Sequence, residues 1–264
     1  MREIVPHILA AEADGVLTLT INRADKKNAL TRQMYEGLAG ALEAASDDET
    51  VGAVVLRGSG GVFTAGNDLK DFQARAQNGA QEGPQTGTAD RRQASGGMLL
   101  LHALAGCRAP LVAEVSGLAI GIGTTLLLHC DFVYAGESAR FRTPFVDIGL
   151  SVEGGSSLLL PQTIGPRAAA RMLLAGEELD AREARELGLV TAVLPDAALE
   201  AEVRARAAAL AAKPRTALRS AKRMLLEARG GSVLDTIERE FVAFSACLQS
   251  PEAKAFFARF FEKA

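Results

Sequence analysis

Two stretches of this chain follow the same pattern: a short apolar run, then a glycine-rich turn, then the start of a helix. Val51-Gly52-Ala53-Val54-Val55-Leu56 leads toward Phe63-Thr64-Ala65-Gly66-Asn67-Asp68-Leu69-Lys70. Leu111-Val112-Ala113-Glu114-Val115 leads through Gly117-Leu118-Ala119-Ile120-Gly121-Ile122-Gly123 into Thr124 to Leu128. An apolar run without polar alternation is the pattern of a strand covered on both faces. A strand of that kind, followed twice by a helix, places the chain in the α/β class.

Around these units the punctuation is local. Val16, Leu17, Leu19 and Ile21 fall in a strand-like segment over 8–22, and Asp14-Gly15 is a two-residue hairpin signal, so a β-hairpin is expected to open the chain. Thr31 offers an N-cap to a helix with Met34, Leu38, Ala41, Leu42 and Ala45 at helical spacing. Arg75 to Gly97 has almost no large apolar residues and reads as a mobile insertion before a helix around Met98 to Leu104. A further strand is expected at Phe132 to Tyr134, and from Arg167 onward the pattern is almost wholly helical. This divides the chain into a β-rich core over 1–197 and a helical region over 198–264.

With 264 residues, 48% of them hydrophobic, the chain has ample material for a large core. A net charge of −3 with mixed signs offers no positive track for a nucleic acid, so an anionic ligand must be met by a local cluster. Cys107, Cys130 and Cys247 are odd in number and far apart, which favours free thiols in a reducing compartment. His7, His102 and His129 fall in no metal-ligand spacing with them, and no metal is expected. No apolar run approaches a membrane span and the N-terminus does not resemble a secretion signal, so a cytoplasmic location away from membranes is the expectation.

Chemistry concentrates in the run Phe141-Arg142-Thr143-Pro144-Phe145-Val146-Asp147-Ile148-Gly149-Leu150-Ser151-Val152-Glu153-Gly154-Gly155. Glu153 stands there in largely apolar, glycine-rich surroundings. Burial raises a carboxyl's pKa, and a raised pKa lets it take and return a proton near neutrality. The alternative is a glutamate that merely favours a helix start. The turns at Gly66 and Gly117–Gly123 each join a buried strand to a helix, where free N–H groups suit a polarised oxygen; two of them aimed at one oxygen would make an oxyanion hole. An ordinary Asn-Asp helix cap is the competing reading of the first. A dinucleotide loop competes for the second, without the third glycine in its place or an acidic residue about 20 positions on. Ser116 lies in Glu-Val-Ser-Gly-Leu, not in a serine-hydrolase elbow.

Asn22-Arg23, Asn28-Ala29-Leu30, Ala65-Gly66-Asn67-Asp68-Leu69, Gly117 to Gly123 leading to Cys130-Asp131, and Gly188-Leu189-Val190 occur in the order and spacing of the enoyl-CoA hydratase/isomerase (crotonase) superfamily. The chain resembles that superfamily over nearly its full length. The resemblance implies a ClpP-like spiral of ββα units with a helical C-terminal trimerisation part, assembled as a homotrimer or a dimer of trimers. It further implies an acyl-CoA thioester substrate, with coenzyme A arriving as part of the substrate and no bound cofactor. Carried onto this sequence, the backbone donors to the thioester oxygen are Asn67 and Ile122. Hydratases of the superfamily carry two glutamates, at positions held here by Thr125 and Phe145. The segment from Thr143 through Ser157 instead resembles the peroxisomal-type 3,2-trans-enoyl-CoA isomerases, in which one catalytic glutamate lies where Glu153 lies.

An isomerase needs a single base, which the resemblance assigns to Glu153. Asp147 is the other carboxylate in reach, a candidate second acid or base. Lys26, Ala29, Ala65, Gly66, Asp68, Leu69 and Lys70 are the candidates for holding the CoA part, joined by Phe256 and Arg259 from the C-terminal segment, while Asp68 alone also reads as a helix cap. Isomerisation of a 3-enoyl-CoA is the leading expectation. An enoyl-CoA hydratase with an unusual base and a catalytically silent acyl-CoA-binding module are the alternatives.

Overall fold

The computed structural model describes residues 1–70, 95–229 and 232–262. Most of the stretch expected to be a mobile insertion, 75–94, therefore lies outside the described residues. The principal sheet has seven strands: β1 (Arg2–Val5), β2 (Ile8–Ala13), β3 (Val16–Ile21), β4 (Ala53–Gly58), β5 (Leu111–Val115), β7 (Phe132–Gly136) and β10 (Ala192–Leu194), in that spatial order. β1, β2 and β3 pair antiparallel, and from β3 through β10 the pairing is parallel. β6 (Leu118–Ile120), β8 (Arg140–Arg142) and β9 (Leu179–Asp180) make a second sheet of three strands.

The Asp14-Gly15 hairpin forms with both residues at positive φ, the conformation that joins two twisted strands through two residues. Thr31 caps the helix Arg32–Asp47 by accepting the Met34 N–H. β4 explains its own composition. Val54 and Leu56 face the main core beneath the helices Arg32–Asp47 and Gly96–Gly106, while Ala53 and Val55 meet Leu199, Val203 and Ala207 of the helix Asp196–Ala211 on the opposite face. The sheet is thus covered on both sides, and the 197/198 division read from the sequence falls inside the helix that covers the second one.

Two expectations need refinement. The helix after the second glycine turn begins earlier than Thr124, at Ile122, and tightens into a 3-10 turn over Leu126–His129. The part after Arg167 is almost wholly helical, as expected, but two short strands that the sequence did not show, β9 and β10, lie within it. Strands of two and three residues are too short to show a period of their own, and β10 owes its state to pairing with Tyr134, Ala135 and Gly136. β6 and β8, of three residues each, escaped the sequence for the same reason, as did β1 with four.

The helices Arg215–Arg229, Ser232–Leu248 and Pro251–Glu262 follow. They are tied into the core. Lys222, buried, holds both carboxylate oxygens of Asp131 at 2.7 Å. Arg219 collects the carbonyls of Ala45, Ser46, Asp48 and Val51, capping the C-terminal end of Arg32–Asp47. Among the described residues no helix is long and apolar enough to cross a membrane, and the three cysteines are free thiols.

Candidate active site

The two glycine turns lie side by side. Phe63 N–H donates to Ser116 O, Thr64 N–H to Leu118 O and Ile120 N–H back to Thr64 O, so the first turn runs as an extra strand along β6. Gly66 makes that approach feasible: its φ is +88°, and a Cβ there would stand 2.7 Å from Ile120 O. From below, Asn28 ties the turn in place, its buried side-chain amide donating to Ser59 O and Val62 O while its backbone carbonyl accepts the Thr64 hydroxyl.

The outcome is a pair of outward-facing donors. Leu30 and Asp68 use the neighbouring backbone groups, with Leu30 N–H to Gly66 O and Asp68 N–H to Leu30 O. Asn67 N–H and Ile122 N–H, the latter at the first position of its helix, have no acceptor among the described residues. Both residues line one cavity together with Ser95, Gly97, Met98, Leu101, Glu153, Gly154, Ile237, Phe241 and Phe244. Its walls are largely apolar, and Glu153 is the single ionisable side chain on them among the described residues.

Glu153 precedes two left-handed glycines. Gly154 has φ +76°, and a Cβ there would come within 2.9 Å of the Thr125 side chain, so the turn can seat itself against Thr125 only with glycine. The Thr125 hydroxyl donates to Glu153 Oε1. His129, buried, donates its Nε2–H to Gly154 O at 2.8 Å, and burial pushes its pKa down to about 4, leaving it neutral. The Glu153 side chain is partly buried and opens on the cavity. Loss of hydration pushes its carboxyl up to about 8, the Thr125 bond pulls it back, and the Glu240 carboxylate nearby adds to the rise. Such a group is half-ionised at mildly alkaline pH and can move a proton in either direction.

The model of a protein family described as enoyl-CoA hydratase/isomerase matches residues 11–264. The chain belongs to the enoyl-CoA hydratase/isomerase family. Its fold is the crotonase fold: the crystal structure of an enoyl-CoA hydratase/isomerase from Pseudoalteromonas atlantica T6c superposes with a TM-score of 0.88 at 42% identity, over 97% of each chain. Enoyl-CoA delta isomerase 2 of Homo sapiens is 38% identical over 222 residues, 83% of this chain and 54% of that protein. Enoyl-CoA delta isomerase 3, peroxisomal, of Mus musculus is 39% identical over 196 residues, 74% of this chain and 59% of that protein. The chain spans about half the length of these curated relatives.

The two positions at which hydratases of the enoyl-CoA hydratase/isomerase family carry glutamates are occupied differently here. Thr125 bonds the Glu153 carboxylate. Phe145 is buried edge-on against Phe244 at 6.4 Å, in a cluster with Leu150, Leu248, Ala253 and Phe257. Asp147 does not line the cavity; its carboxylate is half-exposed and held by Arg142 at 2.9 Å.

Lys26, Ala29, Ala65, Gly66, Asp68, Leu69 and Lys70 are brought together along the first turn, since Ala65 N–H bonds Lys27 O and Asp68 pairs with Arg23 at 2.6 Å. Asp68 also accepts the Lys70 N–H, the capping role read for it from the sequence. The Lys26 and Lys70 side chains are exposed. Phe256 and Arg259, on Pro251–Glu262, are not among the residues lining the cavity; Phe256 stacks on Phe260 and packs in the cluster that contains Phe244. Sequence reasoning missed Tyr35, whose hydroxyl donates to Asn67 Oδ1 at 2.7 Å, and the apolar wall from Ile237, Phe241 and Phe244. Only helical periodicity marked those wall residues, and it could not say which cavity they would reach. No cluster of three metal-type side chains occurs among the described residues.

Proposed function

We propose that this protein is an enoyl-CoA isomerase that moves a 3-enoyl-CoA double bond to the 2-trans position, with Glu153 carrying the proton. The ionised Glu153 takes a proton from C2, the carbon beside the thioester carbonyl. Electron density moves onto the thioester oxygen, where the N–H groups of Asn67 and Ile122 receive it. The double bond forms between C2 and C3, and the protonated Glu153 returns the same proton to C4. No water is consumed. Coenzyme A enters as part of the substrate, with Lys26 and Lys70 at the edge of the site for its phosphates. A trimer, or a pair of trimers, is the proposed assembly.

One observation supports this reading above others: among the described residues, a lone ionisable side chain shares an apolar cavity with two backbone donors that have no acceptor. Adding water across a double bond calls for a group that activates the water and usually another that protonates carbon. The names of the curated relatives point the same way. Paired 3-enoyl and 2-enoyl thioesters of several lengths, followed by proton NMR, test it. The 3-enoyl substrate should be converted without hydration, and Glu153→Gln should abolish conversion while CoA-ester binding stays within about threefold. Rapid formation of a 3-hydroxyacyl-CoA would make the protein a hydratase, and binding without any double-bond movement would make it a silent module.

A further inference from the structure

The helix Ser232–Leu248 does more than wall the cavity. From its buried face Glu240, 6% exposed, reaches the turn that follows Glu153: Oε2 accepts the Gly155 N–H at 2.7 Å and Oε1 accepts the Ser157 N–H at 2.8 Å. A carboxylate this deep is costly unless hydrogen-bonded, and here both oxygens are used on the first backbone donors of the helix Ser156–Ile164. His129 holds the same turn from the other side through Gly154 O. The segment carrying Glu153 is thus gripped at three backbone groups, the Gly154 carbonyl and the Gly155 and Ser157 N–H groups, by side chains that do not line the cavity.

We propose that Glu240 is a positioning residue for the base: it clamps the turn bearing Glu153 through two main-chain N–H groups and sets a second negative charge close to that carboxyl. This rests on the reading of Glu153 as the proton carrier. Glu240 itself touches no substrate. Two fixed effects follow from the one side chain. The clamp holds the Glu153 carboxyl toward the cavity, and the charge disfavours ionisation of its neighbour, making it a stronger base once ionised. The other ionisable groups near the turn do not duplicate this. His129 is neutral and spent on Gly154, Asp147 is paired with Arg142, and Arg239, on the same helix as Glu240, bonds Thr236 and the Asp235 carbonyl. The helix Gly96–Gly106 presents Met98 and Leu101 to the cavity and carries His102 as its one ionisable side chain.

The test compares Glu240→Gln and Glu240→Asp with the parent enzyme in pH profiles of kcat and KM, and follows the Glu153 carboxyl directly by carbon NMR of glutamate-labelled protein. Gln keeps the shape and one acceptor but removes the charge. The acid limb of kcat/KM should move down by about one pH unit, and kcat on the alkaline plateau should fall by roughly threefold to tenfold, with KM within about twofold. Asp keeps the charge but is one carbon too short for both N–H groups; its midpoint should stay within about 0.3 units of the parent while kcat drops. A structural role alone would lower the melting temperature of both variants and leave the Gln midpoint where it was, and that result overturns the proposal. If the Gln variant does not fold, a parent-like kcat in the Asp variant overturns it. If the parent moves no double bond, the isomerase reading fails separately, and the NMR midpoint of Glu153 in Glu240→Gln, shifted or unshifted, still decides for or against the charge of Glu240.

Discussion

Glu153→Gln should make the folded protein more stable as it makes it inactive, and the gain should depend on pH in a defined sense. In the unfolded chain this carboxyl titrates near 4.5, and in the fold near 8. The folded state therefore prefers the protonated form. The stability linked to this group is fully present below about pH 4.5 and is lost as pH rises toward 8. At about 1.4 kcal/mol per unit, the loss reaches roughly 3 kcal/mol by pH 7 and has a ceiling of about 5 kcal/mol above pH 9. The figure is a ceiling because the side chain keeps some access to solvent through the cavity. Glutamine carries no charge to strip of water and can still accept the Thr125 hydroxyl. Urea unfolding of both proteins at pH 5, 7 and 9, at one protein concentration, measures the difference. The variant's advantage should grow by several kcal/mol across that range. If it stays constant within about 0.5 kcal/mol, Glu153 is not desolvated and the account of its basicity is wrong.

Thr125→Val removes the bond that favours the ionised base, so the acid limb of the rate profile should move upward; activity at pH 7 should fall several-fold and recover on the alkaline plateau, as a pH series of kcat/KM will show. Tyr35→Phe frees the Asn67 side chain, and with it the placing of the Asn67 N–H, so kcat should drop roughly tenfold with little change in KM in steady-state kinetics. Lys222→Met leaves Asp131, largely buried, with only the Leu111 N–H among the described residues to satisfy it, which should cost about 3–5 kcal/mol in urea unfolding.

The elements that could be read from the sequence were those with enough residues to display a period. The hairpin at Asp14-Gly15, the cap at Thr31 and the two-faced strand at Ala53–Gly58 each announce themselves within a dozen positions. β9 and β10 do not, since their state comes from the strands they join. The same divide runs through the site. Glu153, Asn67 and Ile122 lie in glycine-rich turns that a local reading singles out, whereas Glu240 lies 85 residues from the Gly155 N–H it accepts, in a helix where one more glutamate resembles any solvated face. Thr125 was marked only as the substitute for a missing glutamate. That its hydroxyl is aimed at Glu153 required the third dimension. Asp147 reads equally well from the sequence as an exposed or turn-capping aspartate, and its pairing with Arg142 could not be seen from proximity along the chain.

The helix Ser232–Leu248 bears on how the protein is made. A chain emerging from the ribosome presents Glu153 long before the segment that grips the following turn and supplies Ile237, Phe241 and Phe244. Until that late segment docks, the glutamate is an ordinary hydrated acid with an ordinary affinity for protons. The apolar wall of the cavity and the grip on the turn after Glu153 therefore both depend on a helix far downstream of Glu153 in the sequence.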